Sequence, residues 1–165
     1  MPARPVIANN TPLSALWSIG RLELFRDLYG EVLIPHAVYE EFLATERALR
    51  QEALDNAPWI RSIRLMNPRQ ALVYIGLDQG EAEVLALASE RSARLVIVDE
   101  RRGRKYAKRL GIPVTGTIGM LLLAKEVGLI EAVTPLTYEL IEKGLYLAPE
   151  LVAGAIELAG ETRNT

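Results

Sequence analysis

Cysteine is absent from this chain, and histidine occurs once, at His36. The first absence excludes disulfides, thiolate metal sites and thiol nucleophiles. The second leaves Ser-His-Asp chemistry without local support, since His36 directly follows Pro35 and is expected to be structural or solvent-exposed. No stretch approaches the roughly 18 uninterrupted apolar residues that a membrane helix needs. The opening residues MPARPVIANN lack the apolar core of a secretion signal, so a cytoplasmic protein without membrane contact is expected. No Gly-rich phosphate loop follows any apolar run, which argues against a nucleotide-binding α/β protein. Repeats, linkers and low-complexity segments are also missing, and the 165 residues suit a single domain, 1–165, with its core at about 5–160.

What is present has the composition of an ordinary folded domain. Half of the residues are apolar and 24% are charged, enough to bury a real core. The formal net charge of −2 conceals a local asymmetry. Six of the nine residues in 101–109, RRGRKYAKR, are basic, and they begin directly after Asp99 and Glu100. Such a stripe can hold phosphates, or can be a solvated helix face.

Apolar periodicity predicts strands over 4–8, 31–34, 59–65, 94–98 and 112–115, the third at a sheet edge. Leu95-Val96-Ile97-Val98 is nearly all apolar, as in a strand buried on both faces of a parallel sheet. Helices are predicted from Pro12 to Gly20 with Thr11 as N-cap, over 21–30, and over 36–57 with Thr45 as the place for a break. Further helices are predicted over 79–92, 100–110, 117–127, 134–144 and 149–160. Alternating strands and helices with short connections make an α/β sandwich.

Four polar residues sit where apolar runs meet helices: Asn9, Glu41, Glu81 and Asp99. Strand ends in an open parallel sheet line a common crevice, so these residues are expected to converge there. Each also has a plain structural explanation. Asp99 can cap the helix after it; Glu81 is favoured by a helix N-terminus; Asn9 can bond its own turn, a task that Asn10 serves equally well. Glu83 competes with Glu81, and Glu40 with Glu41, although Val38, Phe42 and Leu43 place the buried side nearer Glu41. Taken together, carboxylates held close raise one another's pKa unless a cation neutralises them. One or two Mg²⁺ or Mn²⁺ ions would suit such a site, activating water and clamping a phosphodiester.

Order and spacing of these segments resemble the PIN-domain family, in particular its prokaryotic VapC-like branch, DUF3368. The similarity rests on Ile7-Ala8-Asn9-Asn10-Thr11-Pro12-Leu13, on Ile34-Pro35 with Val38 and Glu41, and on Leu77 with Gly80-Glu81-Ala82 and Leu87-Ala88. It continues through Val98-Asp99-Glu100 with Gly103-Arg104 and Ala107, Gly116-Thr117 with Leu121 and Ala124-Lys125, and Gly128-Leu129-Ile130. The resemblance implies a three-layer α/β/α sandwich around a parallel sheet and metal-dependent cleavage of RNA. It puts Asn9, Glu41, Glu81 and Asp99 at the acidic-quartet positions, with Asn9 where the wider superfamily has Asp. It also implies a toxin role, with a small antitoxin protein as partner. Arg101, Arg102, Arg104, Lys105 and Lys108, together with Thr11 and Thr117, are then candidates to contact RNA, Arg104 foremost because it lies about a turn beyond Asp99.

The neutral Asn9 also admits a second outcome, an RNA-binding or regulatory module that has lost catalysis. The apolar helix 117–127 and the segment LVAGAIELAG offer more apolar surface than one sheet face needs, which a homodimer or ordinary core packing would absorb. Residues 161–165 are expected to form a frayed polar tail.

Overall fold

The computed structural model describes residues 4–162. Five strands, β1 (Val6–Ala8), β2 (Val32–Pro35), β3 (Ile60–Ile63), β4 (Leu95–Ile97) and β5 (Val114–Thr115), pair in parallel in the order β3-β2-β1-β4-β5. β1 and β2 are buried at every residue, whereas β3 at one edge exposes Arg61 and Ser62. This gradient explains their composition: central strands covered on both faces are uniformly apolar, and edge strands are not.

Nine α-helices join the strands among the described residues: α1 (Asn10–Ser18), α2 (Glu23–Tyr29), α3 (His36–Phe42), α4 (Arg47–Asp55), α5 (Gln79–Arg91), α6 (Arg101–Arg109), α7 (Thr117–Glu126), α8 (Thr134–Glu142) and α9 (Pro149–Leu158). Right-handed crossovers running in opposite directions from β1 and β4 put helices on both faces of the sheet. Accordingly α1 packs on α7, and α5 packs on α6. The fold is a three-layer α/β/α sandwich around a parallel sheet, as the resemblance implies. α5 is buried almost all round, with Val84 to Ala88 each fully inaccessible. That burial suits its uninterrupted Val-Leu-Ala-Leu-Ala run. Among the described residues, no helix is long and apolar enough to cross a membrane.

Three local features depart from the expectations or add to them. The first helix starts earlier than predicted: Asn9, not Thr11, is its N-cap, and Pro12 is its third residue. Asn9 continues the extended course of β1, so the chain turns helical immediately after it. The helical stretch after Pro35 does break as expected near Thr45, where Glu46 takes a left-handed conformation (φ 48°) before α4. Residues 66–78 contain a 3-10 helix, Pro68–Val73, opened by the Asn67 side chain accepting from Arg69 N, which apolar periodicity does not reveal.

The third feature is the polar tail. Residues 163–165 lie outside the described residues, but Glu161 is tied down. Its carboxylate accepts from Lys125 Nζ, Val133 N and Thr134 N, each at 2.8 Å. It thereby serves the N-terminus of α8, where a negative charge is favoured. Burial alone would raise the Glu161 pKa, but its bonds to Lys125, Thr134 and Val133 prevail and hold it near 2. A depressed carboxylate pKa stabilises the fold above its unfolded value near 4.5 and loses that contribution as pH falls towards 2. Glu161→Gln is therefore expected to lower the melting temperature at neutral pH. The gap to the wild type should narrow below about pH 4.5 in thermal melts across a pH series.

Candidate active site

The strand order reverses between β1, which leads to its neighbour β2, and β4, which leads to β5 on the other side. In open parallel sheets the crevice at such a reversal is where ligands are received. Ala8 pairs with Ile97, and the ladder runs one residue further as Asn9 N donates to Ile97 O at 3.0 Å. Asn9 and Asp99 therefore emerge side by side at the mouth of this crevice. β2 contributes from the neighbouring position, since Pro35 leads straight into α3 and Glu41.

Asn9 is 4% exposed, and its Oδ1 is buried with no hydrogen-bond partner. A buried carbonyl oxygen left without a donor is disfavoured by about 1–3 kcal/mol. The turn-forming role for Asn9 is thus excluded; its neighbour Asn10 instead accepts from Ser14 Oγ. Across from this buried, unpartnered oxygen lies Gly80. A Cβ placed there would stand 2.8 Å from Glu41 Oε2 and 3.5 Å from both Asn9 Oδ1 and Asp78 Oδ1. Three oxygens from β1, α3 and the start of α5 thus converge where glycine leaves a gap.

Glu81 lies in the first turn of α5, buried, with its backbone N–H capped by Asp78 Oδ1 at 2.8 Å. Burial is the main reason its carboxyl pKa is pushed up to about 8. Hydrogen bonding to Asp78 and the charges of Asp78, Glu100 and Glu41 push in the same direction. Glu41 is also raised, first by burial and then by Asp78, with Asn10 opposing. The competing acids have other tasks. Glu83 caps α3 by accepting from Ala37 N at 3.2 Å, and Glu40 lies 3.6 Å from His36 on the exposed face of α3.

Asp99 does not cap the helix that follows it. Its Oδ1 accepts from Thr117 N at 2.8 Å and its Oδ2 from Thr117 Oγ1 at 2.6 Å, which joins the end of β4 to the start of α7. Gly116 permits this approach, because a Cβ there would stand 2.5 Å from Asp99 Oδ1. Asp99 is not among the charges acting on Glu81; the adjacent Glu100 is. Thr117 is fully buried and its hydroxyl is committed to Asp99, so the expectation that it touches RNA is corrected: it supports the carboxylate from behind.

The basic helix α6 flanks this group. Arg104 reaches back to donate to Val98 O at 3.1 Å and would stand 3.2 Å from a Cβ on Gly116. It makes no ion pair with Asp99 within 4.0 Å. Arg102 donates to Gly76 O, and Lys105 lies with Tyr106 and Arg109 in a shallow hollow beside Ile75. Arg101 and Lys108 are exposed. Thr11 is half-buried and lies in a groove on the other side of the crevice, along α1.

Asn9, Glu41 and Glu81 are thus brought together, Asp99 stands beside them tethered to α7, and the fourth member of the closest group is Asp78. The sequence carried a signal for Asp78: Asp78-Gln79-Gly80-Glu81 has the spacing of a capping box just before an apolar run. The donors are all oxygens and mostly anionic, which suits a hard divalent cation. Among the described residues no three Asp, Glu or His side chains are drawn into a finished metal site. Mutual repulsion of like charges keeps uncompensated carboxylates apart. The orphaned Asn9 oxygen, the gap at Gly80 and the raised Glu81 pKa each fit a cation at this place.

A carboxyl titrating near 8 when folded and near 4.5 when unfolded stabilises the fold fully below pH 4.5 and loses that contribution as pH rises through 8. In chelator, the wild type is therefore expected to lose stability between these pH values. Glu81→Gln should flatten that slope, as read from denaturant midpoints at a series of pH values.

A family model described as a PIN domain matches residues 5–161, whereas no curated protein matches the chain. PIN domains point to nuclease-type function in general; they generally use divalent metal ions and typically bind RNA. With its parallel sheet, its crevice between β1 and β4 and a match over nearly its whole length, this chain belongs to the PIN-domain family.

Proposed function

We propose that the protein is a Mg²⁺- or Mn²⁺-dependent endoribonuclease acting in the crevice between β1 and β4. The observation that carries this is the meeting of Asn9 Oδ1, Glu41 Oε2 and Asp78 Oδ1 at the open side of Gly80, beside the buried Glu81. Asn9, Glu41, Asp78 and Glu81 would hold the cation, and Asp99 would contribute from β4. The ion, when bound, supplies Lewis acidity towards a phosphodiester and lowers the pKa of water. Glu81 retains a proton on its carboxyl at neutral pH and would release it on cation binding. Thr117 fixes the orientation of Asp99 through two hydrogen bonds, so this carboxylate needs no reorganisation.

The basic helix supplies the grip on RNA. Arg101 and Arg102 occupy the first turn of α6, where a positive charge opposes the helix dipole by about 0.3–1 kcal/mol. Their placement is unfavourable for the helix but suits a polyanion drawn to the crevice. Arg104, Lys105 and Lys108 extend the same charged surface. In the toxin role that the family resemblance implies, a small antitoxin would cover this crevice.

One observation favours a second reading, a non-catalytic RNA-binding module: the first position of the quartet is the neutral Asn9. The same experiment separates the two. Folded protein incubated with single-stranded RNA and Mn²⁺ or Mg²⁺ is expected to cleave it. Chelator should abolish cleavage, and Asp99→Asn should reduce it at least about tenfold, roughly 1.4 kcal/mol in the barrier. Absence of cleavage with both metals would favour the binding module. Asn9→Asp adds an anionic ligand and should tighten Mn²⁺ binding in calorimetry. Arg104→Ala should weaken RNA binding and lower the slope of log K against log salt by about 1; an unchanged slope would remove Arg104 from the interface.

A further inference from the structure

A second charged feature lies on the side of the crevice away from α6. α1, α4 and the turn after α8 enclose a groove of about 480 Å³, within the range of ligand sites. Asn10 lines it, and the Asn10 carboxamide also stands beside Glu41, so one residue borders both the groove and the candidate active site. Thr11, Ser14, Ser18, Arg50 and Lys143 are among its polar lining, with Glu46 the one acid.

Arg50 is the unusual member. Its side chain is only 14% exposed, and its guanidinium lies 4.4 Å from the centre of the Trp17 ring and 4.8 Å from that of Phe42. Nη1 donates to Ser14 Oγ and to Phe42 O, both at 3.1 Å, which fixes the plane of the group. Nε is buried without a hydrogen-bond partner, and Nη2 has only the carboxylate of Glu46 at 3.8 Å, beyond good hydrogen-bond range. Ring stacking accounts for the position of Arg50 but not for leaving a largely buried cation so weakly compensated. Lys143, exposed on the opposite wall, adds a second positive charge against the single Glu46. Two cations and the hydroxyl of Thr11, which unlike those of Ser14 and Ser18 is not committed to a neighbouring residue, are the equipment of a phosphate site.

We infer that this groove binds a backbone phosphate of single-stranded RNA next to the cleaved linkage, so that the strand crosses the sheet edge from α6, over the crevice, to α1 and α4. The inference rests on the ribonucleic-acid substrate proposed above and adds the path that the substrate takes. Arg50 offers one arm of its guanidinium fork, Nη2, to the phosphate, with the plane of the group set by Ser14 Oγ and Phe42 O; Lys143 closes over it from the solvent side.

Binding is measured in chelator, where no cleavage intervenes, with a labelled single-stranded RNA of about ten nucleotides, within the span of known single-strand sites. Lys143→Ala, a surface change, is expected to weaken binding roughly three- to tenfold and to lower the salt slope by about 1. Arg50→Lys, which keeps the charge but loses the fork, should weaken it as well with a smaller change in slope. Wild-type affinity and slope in folded Lys143→Ala, with the wild type binding RNA, would overturn the groove and leave the nuclease proposal standing. Failure of the wild type to bind RNA at all would overturn both. Inorganic phosphate is titrated as competitor in the same assay and is expected to leave RNA binding unchanged at millimolar concentration. Saturable displacement there would overturn the strand path in favour of a free-anion site.

Discussion

The pairing of β1 with β4 is the constraint on which the candidate site depends. Val6, Ile7 and Ala8 lie against Leu95, Val96 and Ile97, across nearly ninety residues of intervening chain. Closing so long a loop is unfavourable, though the entropy grows only slowly with length. The compensation is apolar: Val6, Ile7, Ala8, Val96 and Ile97 are all at most 1% exposed. Each large side chain of that kind contributes about 1.5–3 kcal/mol when buried. The ladder then runs past the strands themselves, through Asn9 N to Ile97 O and Val98 N to Thr115 O. Backbone hydrogen bonds thus set where Asn9 and Asp99 stand, and the side chains inherit that position.

Charge around the crevice is arranged rather than balanced. Glu81 of α5 is buried and Glu41 of α3 borders the crevice at the surface, while most cations of α6 are exposed and Arg104 turns to the Val98 carbonyl instead of pairing with Asp99. Closing the carboxylates with direct ion pairs would have given a quiet site. Burial first, and then the neighbouring acids, raises Glu41 and Glu81, and without ion pairs their oxygens stay available, a pattern characteristic of functional sites. Capping residues hold this arrangement in place: Asp78 on α5, Glu83 on α3 and Asp99 on α7.

The fold was largely legible in the sequence because its signals are strong and local. The Leu95–Val98 run, the apolar α5 and the glycine-ended helices could be placed from periodicity alone, and strand ends and helix starts singled out Asn9, Glu41, Glu81 and Asp99 as the group to look for at one crevice. The remainder depended on contacts between distant segments. Asp78 looked like a connecting residue because residues 66–78 follow no apolar period. Thr117 looked like a surface hydroxyl because nothing local shows that Asp99, eighteen positions earlier, takes both its donors. Glu161 looked like a tail because its partners are on α7 and before α8. Arg50, within the helix predicted over 36–57, gained meaning only when α1 placed Trp17 against it.

Gly80 in α5 and Gly103 in α6 set stability against function. Each sits within a helix, where exchanging glycine for alanine is ordinarily worth about 0.8–1.0 kcal/mol in favour of the fold. At Gly80 the added methyl would fall among the oxygens of Glu41, Asn9 and Asp78; at Gly103 it would meet Val98 Cγ1 at 2.9 Å and Glu81 Oε2 at 3.3 Å. Helix propensity and the close approach of neighbouring side chains therefore oppose each other at these two positions. A consensus or propensity-guided redesign that scores helices one at a time would choose alanine at both, pushing the carboxylates of Glu41 and Glu81 aside in the name of a sturdier scaffold.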